Sequence, residues 1–407
     1  MQVVHARCAG LDVHKETVVA CIRIAGGAVR QEVRTFESTV EGLLALSAWL
    51  SESSVTHVVL ESTGVYWKPV WHVLEGDFEL VLANASDVRN RPGRKTDVND
   101  AVWLAELLAH GLIRASFVPP TPIQELRDLT RTRKQFVREI SQHTLRIQKT
   151  LEDANVKITG LVSDVLGVSG RAILEAIIGG ETDPARLHER TQGRLKADPG
   201  ALKRALRGRI RDHHRFLLKL HLRQIQALES AVRDVEARMG QALEPFRVDI
   251  ELLMTIPGIG LIAASVILAE IGFDMSKFPT PAHLISWTGL CPRSDESAGN
   301  RRSTRIRPGA PWLKATLIQA AWAAVRVKNS YLRAQFLRLR SRRGPMKAIV
   351  AVAASMLTAA YHILARQQPY ADLGPQHFDQ RDRAKIAKRL IRRLEDLGLQ
   401  VDVRPAA

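Results

Sequence analysis

Strand signals stop at Thr121. Ahead of it, "HARCAGLDV", "ETVVACIRIAGG" and "AVRQEVRTF", within residues 2–36, are β-branched stretches parted by turn residues, and they predict three sequential strands. "TVEGLLALSAWLSES" then reads as a helix, "HVVLEST" as a buried strand, "YWKPVWHVLEG" as a helix and "FELVLAN" as a further strand. Three antiparallel-type strands followed by that alternation predict a mixed sheet with helices on its faces, an α/β fold. With 407 residues the chain is too long for one ordinary core, so the remainder must build a second one.

That remainder reads as helical throughout. "TPIQELRDLTRTRKQFVREISQHTLRIQKTLEDAN" opens with Thr121 as a helix cap and Pro122 at the first helical position. Leu126, Leu129, Phe136, Ile140, Ile147 and Leu151 keep the three-four spacing of a seam, and Leu218, Leu222, Ile225, Leu228, Val232, Val235 and Met239 repeat it between His214 and Leu243. Two such helices can pair as an antiparallel coiled coil or form a dimer interface. The expected organisation is an α/β domain over 1–120, a long helical coiled-coil region over 121–245 with an insertion at 155–212, an all-α domain over 246–366, and a basic tail over 367–407. The tail holds one amphipathic helix with Ile386, Leu390, Ile391 and Leu394 on its apolar side.

Charge narrows the class of partner. Lys and Arg number 59 against 42 Asp and Glu, a net +17, and an excess of that size points to a polyanion. Arginine dominates the basic residues, as suits bidentate contact with phosphate. The three cysteines, Cys8, Cys21 and Cys291, are widely spaced without a CxxC, which argues against a disulfide framework or a zinc site. "MQVVHARCAGLDVHKE" lacks the apolar core of a signal peptide, and no run reaches 18 apolar residues. A cytoplasmic protein without membrane segments is expected.

Four carboxylates carry the chemistry. Asp12 falls at the end of the first expected strand and Glu61 at the end of a later one, while Asp97 and Asp100 open a helix. A three-residue step on a helix sets two carboxylates on one face, about 5 to 6 Å apart at Cβ. Carboxylates on neighbouring strands and a nearby helix can converge on a pair of divalent ions, the arrangement used for in-line displacement at phosphate. Oxygen ligands favour Mg²⁺, with Mn²⁺ as the alternative, over zinc. Taken singly, each residue reads better as a turn or cap residue; the site reading comes from all four falling at the ends of elements, where a ligand would sit.

Two features of the helical part concern nucleic acid. "LLMTIPGIGLIAASVILAEIG" puts a tight turn with Gly258 and Gly260 between helical stretches, either a helix-hairpin-helix phosphate contact or a plain helix turn. "PRSDESAGNRRSTRIRPGAPW" sets serines in a polar loop ahead of Arg301, Arg302, Arg305 and Arg307, side chains suited to clamping phosphate oxygens.

Here a family resemblance enters. "GLDVHKETVVACI", "ESTGVYW" and "RKTDVNDAVWLAELLAHGLI" resemble the Asp-Glu-Asp-Asp signature of the insertion sequence 110 family of transposases, and "GLCPRSDESAGNRRSTRIRPGAPWLKATLIQAA" resembles its second signature. The resemblance implies a RuvC-like (RNase H-like) amino-terminal domain, Asp12, Glu61, Asp97 and Asp100 as metal-binding and catalytic carboxylates, and Ser297 as nucleophile. Most members carry Ser-Ser-Gly there, where this chain has Glu296-Ser297-Ala298-Gly299. It further implies action on double-stranded DNA at element ends and target, a structured guide RNA, a homo-oligomer (dimer or tetramer) and a place at the bacterial nucleoid. Candidate nucleic-acid contacts are Arg94 and Lys95 within the 89–95 cluster, the 203–215 stretch and "RLRSRRGPMK" at 338–347, besides the glycines and arginines above. The alternatives are a metal-dependent RuvC-like structure-specific nuclease, which uses the carboxylates and no serine, and a scaffold that needs neither.

Overall fold

The computed structural model describes residues 2–61, 64–84, 88, 97–160, 162, 164–191, 198–292, 296–297, 300–301, 303, 305–381 and 383–402. The chain divides into two compact units, Met1–Val118 and Pro119–Ala407.

The first unit is a five-stranded mixed sheet. Strands β1 (Arg7–Val13), β2 (Thr17–Ile24) and β3 (Arg30–Glu37) are followed by α1 (Val40–Glu52), β4 (His57–Glu61), α2 (Trp67–Leu74), β5 (Glu79–Ala83) and α3 (Asp97–Ala109). The strand order is β3-β2-β1-β4-β5, with β1, β2 and β3 antiparallel and β1, β4 and β5 parallel. β1, β2 and β4 are buried on both faces, which is why they read as apolar runs rather than alternating ones.

The two faces carry different helices. Ala9, Leu11, Val13, Val18, Ala20 and Ile22 pack with Leu43, Leu46, Trp49 and Leu50 of α1 and Val70 and Leu74 of α2. Each fully buried Leu there contributes on the order of 1.5–3 kcal/mol. The opposite face holds Cys8, Val59 and Ala83 against Leu104 and Leu108, and Val19 and Cys21 against Ala101 and Ala105, all from α3.

Gly10 sets how closely α3 approaches. A Cβ at Gly10 would lie 2.3 Å from the Ala101 carbonyl oxygen and 2.4 Å from the Ala105 nitrogen. The Cys8 thiol donates to the Ala105 carbonyl at 3.4 Å, and the Val4 N–H donates to the Ala109 carbonyl at 2.8 Å. Rising helix numbers thus meet falling strand numbers, so α3 runs antiparallel to β1 with its first turn at the carboxyl end of that strand.

The second unit begins with α4 (Thr121–Asp153), continues through α5 (Val168–Ile178), α6 (Pro184–Glu189) and α7 (Pro199–Ala205), and returns along α8 (Asp212–Leu243). Pro120 takes the cap position of α4 in extended backbone, one residue ahead of the expected Thr121, and Gln124 bonds back to the Pro119 carbonyl at 3.0 Å. The two long helices pair antiparallel within the chain. Arg133 bonds Glu236 at 2.7 Å, His143 meets His221 at 3.1 Å, and His214 meets Asp153 at 2.9 Å, one number falling as the other rises.

Residues 155–212, the expected helical insertion, contribute to a core of their own. Val156, Ile158, Val165, Ile173, Leu174, Ile177, Leu187, Leu202 and Leu206 form a core with Ile147, Leu151, Leu218 and Ile225 from the ends of α4 and α8. The Lys157 N–H donates to the Ala205 carbonyl and the Arg209 N–H to that of Ala154, both at 2.8 Å, closing this cap onto the helix pair.

After α8 come α9 (Arg247–Met254), α10 (Leu261–Ile271), α11 (Pro281–Thr288), β6 (Glu296–Ser297), β7 (Asn300–Arg301), α12 (Pro311–Ala324), α13 (Tyr331–Arg343), α14 (Pro345–Arg366), α15 (His377–Arg381) and α16 (Arg383–Glu395). The region expected to be all-α therefore contains a hairpin, whose two-residue strands are too short to leave a periodic signal. α14 is long and apolar enough to cross a membrane, with a mean hydropathy of 1.9, but half of that stretch is buried within the protein. Ile349, Val352, Met356 and Leu357 are among its fully buried residues.

One ion-pair group ties α4 to the carboxyl-terminal helices. Glu270, 1% exposed, accepts two bonds from Arg131 at 2.8 and 2.9 Å, while Arg127 donates to the Ala269 and Glu270 carbonyls at 3.0 and 2.9 Å. Arg131 and Arg138 also lie over the Trp312 ring of α12, at 5.8 and 5.0 Å.

Candidate active site

β1 and β4 run parallel in a register that pairs Gly10 with Val59 and Leu11 with Leu60. One step further, at the carboxyl ends of both strands, Asp12 and Glu61 stand side by side with backbones about 4.8 Å apart. Alternation puts both on the face that α3 covers, since Asp12 shares its face with Cys8 and Gly10, and Glu61 with Val59. Asp12 is 7% exposed and Glu61 8%. Two carboxylates so placed repel, and water does little to screen them, so a cation between them lowers their energy.

α3 supplies the other acidic positions. Ala101 rests on Gly10. Asp97 and Asp100 therefore belong to the turn that overlies the carboxyl end of β1, where Asp12 lies. The Asp100 side chain is half-buried, and of Asp97 the backbone alone is described. Among the described residues no group of three or more His, Cys, Asp or Glu side chains is close enough to enclose an ion. The carboxylate oxygens of Asp12 and Glu61 are donors that suit a hard divalent cation.

His14 belongs to this neighbourhood and escaped the sequence reading. Its Nε2 lies 3.2 Å from Asp12 Oδ2, and its N–H donates to the Thr17 carbonyl at 2.9 Å in the turn between β1 and β2. The available signal was its nearness in sequence, two residues beyond Asp12 in the turn that follows β1.

Ser297 belongs to the second unit. It pairs with Asn300 as the last residue of β6 before the turn, Glu296 pairs with Arg301, and a bridge between Pro292 and Ile306 extends the ladder toward its base. The base is held by close backbone packing. A Cβ at Gly309 (φ +53°) would lie 2.2 Å from the Thr288 carbonyl oxygen, and one at Gly289 (φ +76°) 2.7 Å from that of Arg307. Lys314 adds bonds from Nζ to the Arg307 and Pro308 carbonyls. Ser297 thus lies on a short anchored hairpin whose returning strand holds Arg301.

The other expected contacts divide. Gly258 (φ +84°) closes the turn between α9 and α10, and its absent side chain makes room for α12, because a Cβ would lie 2.5 Å from the Ala320 carbonyl oxygen. Gly260 precedes α10 in the open, with nothing within 4 Å of a built Cβ. Arg305 is exposed. Arg301 is described by its backbone, and Arg94, Lys95 and Arg302 lie outside the described residues.

Comparison with known proteins supplies the class. Residues 9–156 match the DEDD transposase model of the IS110 family, and residues 250–337 match the transposase model of the IS116/IS110/IS902 family. These spans hold the adjacent carboxylates and the serine hairpin, and they define a transposase, an enzyme that cuts and rejoins DNA. The pilin gene-inverting protein of Moraxella bovis is 24% identical over 380 residues, covering 89% of this chain and 96% of the relative. The corresponding protein of Moraxella lacunata is 23% identical over the same coverage. A 43.6 kDa protein of insertion element IS110 from Streptomyces coelicolor is 31% identical over 102 residues, 25% of each chain. The chain belongs to the IS110 family of transposases.

Proposed function

We propose that this transposase breaks and rejoins DNA strands with a carboxylate metal site in a RuvC-like amino-terminal unit and the hydroxyl of Ser297 as nucleophile. The observation that carries the first part is the side-by-side burial of Asp12 and Glu61 at the carboxyl ends of adjacent parallel strands, beneath the first turn of α3. A mixed sheet in the order β3-β2-β1-β4-β5 agrees with the RuvC-like reading.

Asp12, Glu61, Asp97 and Asp100 would hold Mg²⁺, with Mn²⁺ able to replace it. Once bound, such an ion supplies charge stabilisation at phosphate oxygens. In this reading the Ser297 hydroxyl attacks the scissile phosphorus. An O–P bond forms to serine, the P–O3′ bond breaks, and the serine proton is lost as the departing 3′ oxygen gains one. The phosphoserine keeps the energy of the diester, so a 3′-hydroxyl can later displace the serine and rejoin strands. Arg301, Arg302 and Arg305 would face the phosphate, where guanidinium groups offset the developing negative charge. The open turn at Gly260 offers backbone N–H groups to duplex phosphates.

The charge of +17 and the family likeness support a structured guide RNA as a second nucleic-acid partner, and a homo-oligomer that places one subunit's serine near carboxylates. The same reading sets the protein in the cytoplasm, at the nucleoid.

The test is a DNA fragment carrying the junctions that flank the gene, incubated with protein and Mg²⁺ and resolved under denaturing conditions. A protein-DNA adduct is expected for the parent chain and none for Ser297→Ala. Strand cleavage without an adduct, undiminished in Ser297→Ala, would overturn the serine chemistry and favour a metal-dependent nuclease.

A further inference from the structure

The basic stretch at 338–347 is largely exposed and borders a cleft. A cleft of about 330 Å³ is lined by Ala334, Arg338, Ser341 and Arg342 of α13, Pro375, Phe378 of α15 and Arg389 of α16. Tyr331, Ala334, Arg338 and Ser341 follow one another at three- and four-residue steps, so they share one stripe of α13. The segment after α14 is fixed against that stripe. Asp372 accepts the Tyr331 N–H at 2.9 Å and the Gly374 N–H at 2.7 Å. Phe378 stacks on Tyr331 at 5.1 Å with an interplanar angle of 21°, and the Arg338 guanidinium lies over the Phe378 ring at 5.0 Å.

We propose that this cleft binds a single-stranded segment of nucleic acid, one phosphodiester between Arg342 and Arg389 and one unpaired base continuing the stack of Tyr331, Phe378 and Arg338. Three arginines from two helices converge on a crevice with an aromatic ring in its wall, the pairing of charge and stacking surface that single strands require. A guanidinium held over a ring can offer its plane to a base and its edge to phosphate. The volume suits one nucleotide. The segment that completes the site, Pro375 to Arg389, follows the residue 337 at which the second family match ends.

The inference rests on the chain being a nucleic-acid enzyme, yet it is separable from the carboxylate and serine chemistry. The full chain is titrated with a fluorescent unstructured ten-nucleotide strand, in RNA and DNA versions, and with a duplex of the same length, over a range of salt. Arg342→Ala combined with Arg389→Ala should weaken single-strand binding about tenfold or more and reduce the salt slope by about 0.7, as expected for one lost phosphate contact. Phe378→Ala should weaken it at least fivefold and leave the slope unchanged. Arg392→Ala combined with Arg393→Ala removes equal charge outside the cleft and should stay within about twofold. The tighter of the RNA and DNA arms names the source of the strand. Equal losses for strand and duplex, or equal losses from both arginine pairs, would overturn the proposal. Adduct formation by Ser297 is unaffected by either result.

Discussion

At the residue scale, the site depends on a position with no side chain. Gly10 lets the first turn of α3 lie on β1, and the nearest backbone atom to an added Cβ would be 2.3 Å away. Both neighbours in that contact are backbone, so they cannot rotate aside. Gly10→Ala should cost about 1–3 kcal/mol or more, read as a lower denaturant midpoint, and should displace Asp100 relative to Asp12. Gly260→Ala meets open space and should leave the midpoint within about 0.5 kcal/mol. Asp12→Asn keeps the shape of the side chain and removes its charge. It should fold as the parent does, bind duplex DNA at matched salt, and lose Mg²⁺-dependent strand cleavage.

At the element scale, the buried Glu270 group and the paired long helices make separate predictions. Glu270→Ala leaves Arg131 and Arg127 without their carboxylate in a half-buried setting, and it should lower stability by about 3–5 kcal/mol in thermal or denaturant unfolding. Between α4 and α8, burial and then Arg146 push the His143 pKa below the ordinary imidazole value, against a smaller opposing effect of Glu139. For His221 burial leads, followed by His143 and Arg146. The unfolded chain then takes up protons, near pH 6.5, that the folded chain refuses, so this contribution is complete above about pH 7 and is lost as pH falls below it. Melting temperature should drop between pH 7.5 and 5.5, and the drop should be smaller in His221→Gln.

Some of these elements were legible because their residues report their own surroundings. β1, β2 and β4 are buried on both faces and show it as unbroken apolar runs; the long helices show it as seams, in which Leu126, Ile147, Leu151, Leu218 and Ile225 are indeed buried. The antiparallel pairing of those helices was one of two options, because a seam does not name its partner. The core of residues 155–212 was missed because its apolar residues come from short helices with no sustained period. Gly10 and Gly258 gave no signal of close packing, since a glycine meeting another helix is indistinguishable in sequence from one in a turn. Asp12 and Glu61 were legible as acidic strand ends; their adjacency depends on parallel pairing of β1 with β4, which only the fold supplies.

At the scale of the whole molecule, Asp12 and Glu61 lie at one end of the sheet in the first unit, and the serine hairpin belongs to the second, helical unit. The family matches cover those two regions, the first running on through α4, and the cap and α8 lie between them. The account turns on Asp12 and Glu61 acting as ion ligands rather than as ordinary strand-end carboxylates. The most direct measurement is calorimetric titration of the full chain with Mn²⁺, beside Asp12→Asn combined with Glu61→Gln, with circular dichroism confirming that both are folded. Saturable binding in the parent, weakened at least a hundredfold in the double variant, is the predicted result; equal affinity in two folded proteins would contradict it.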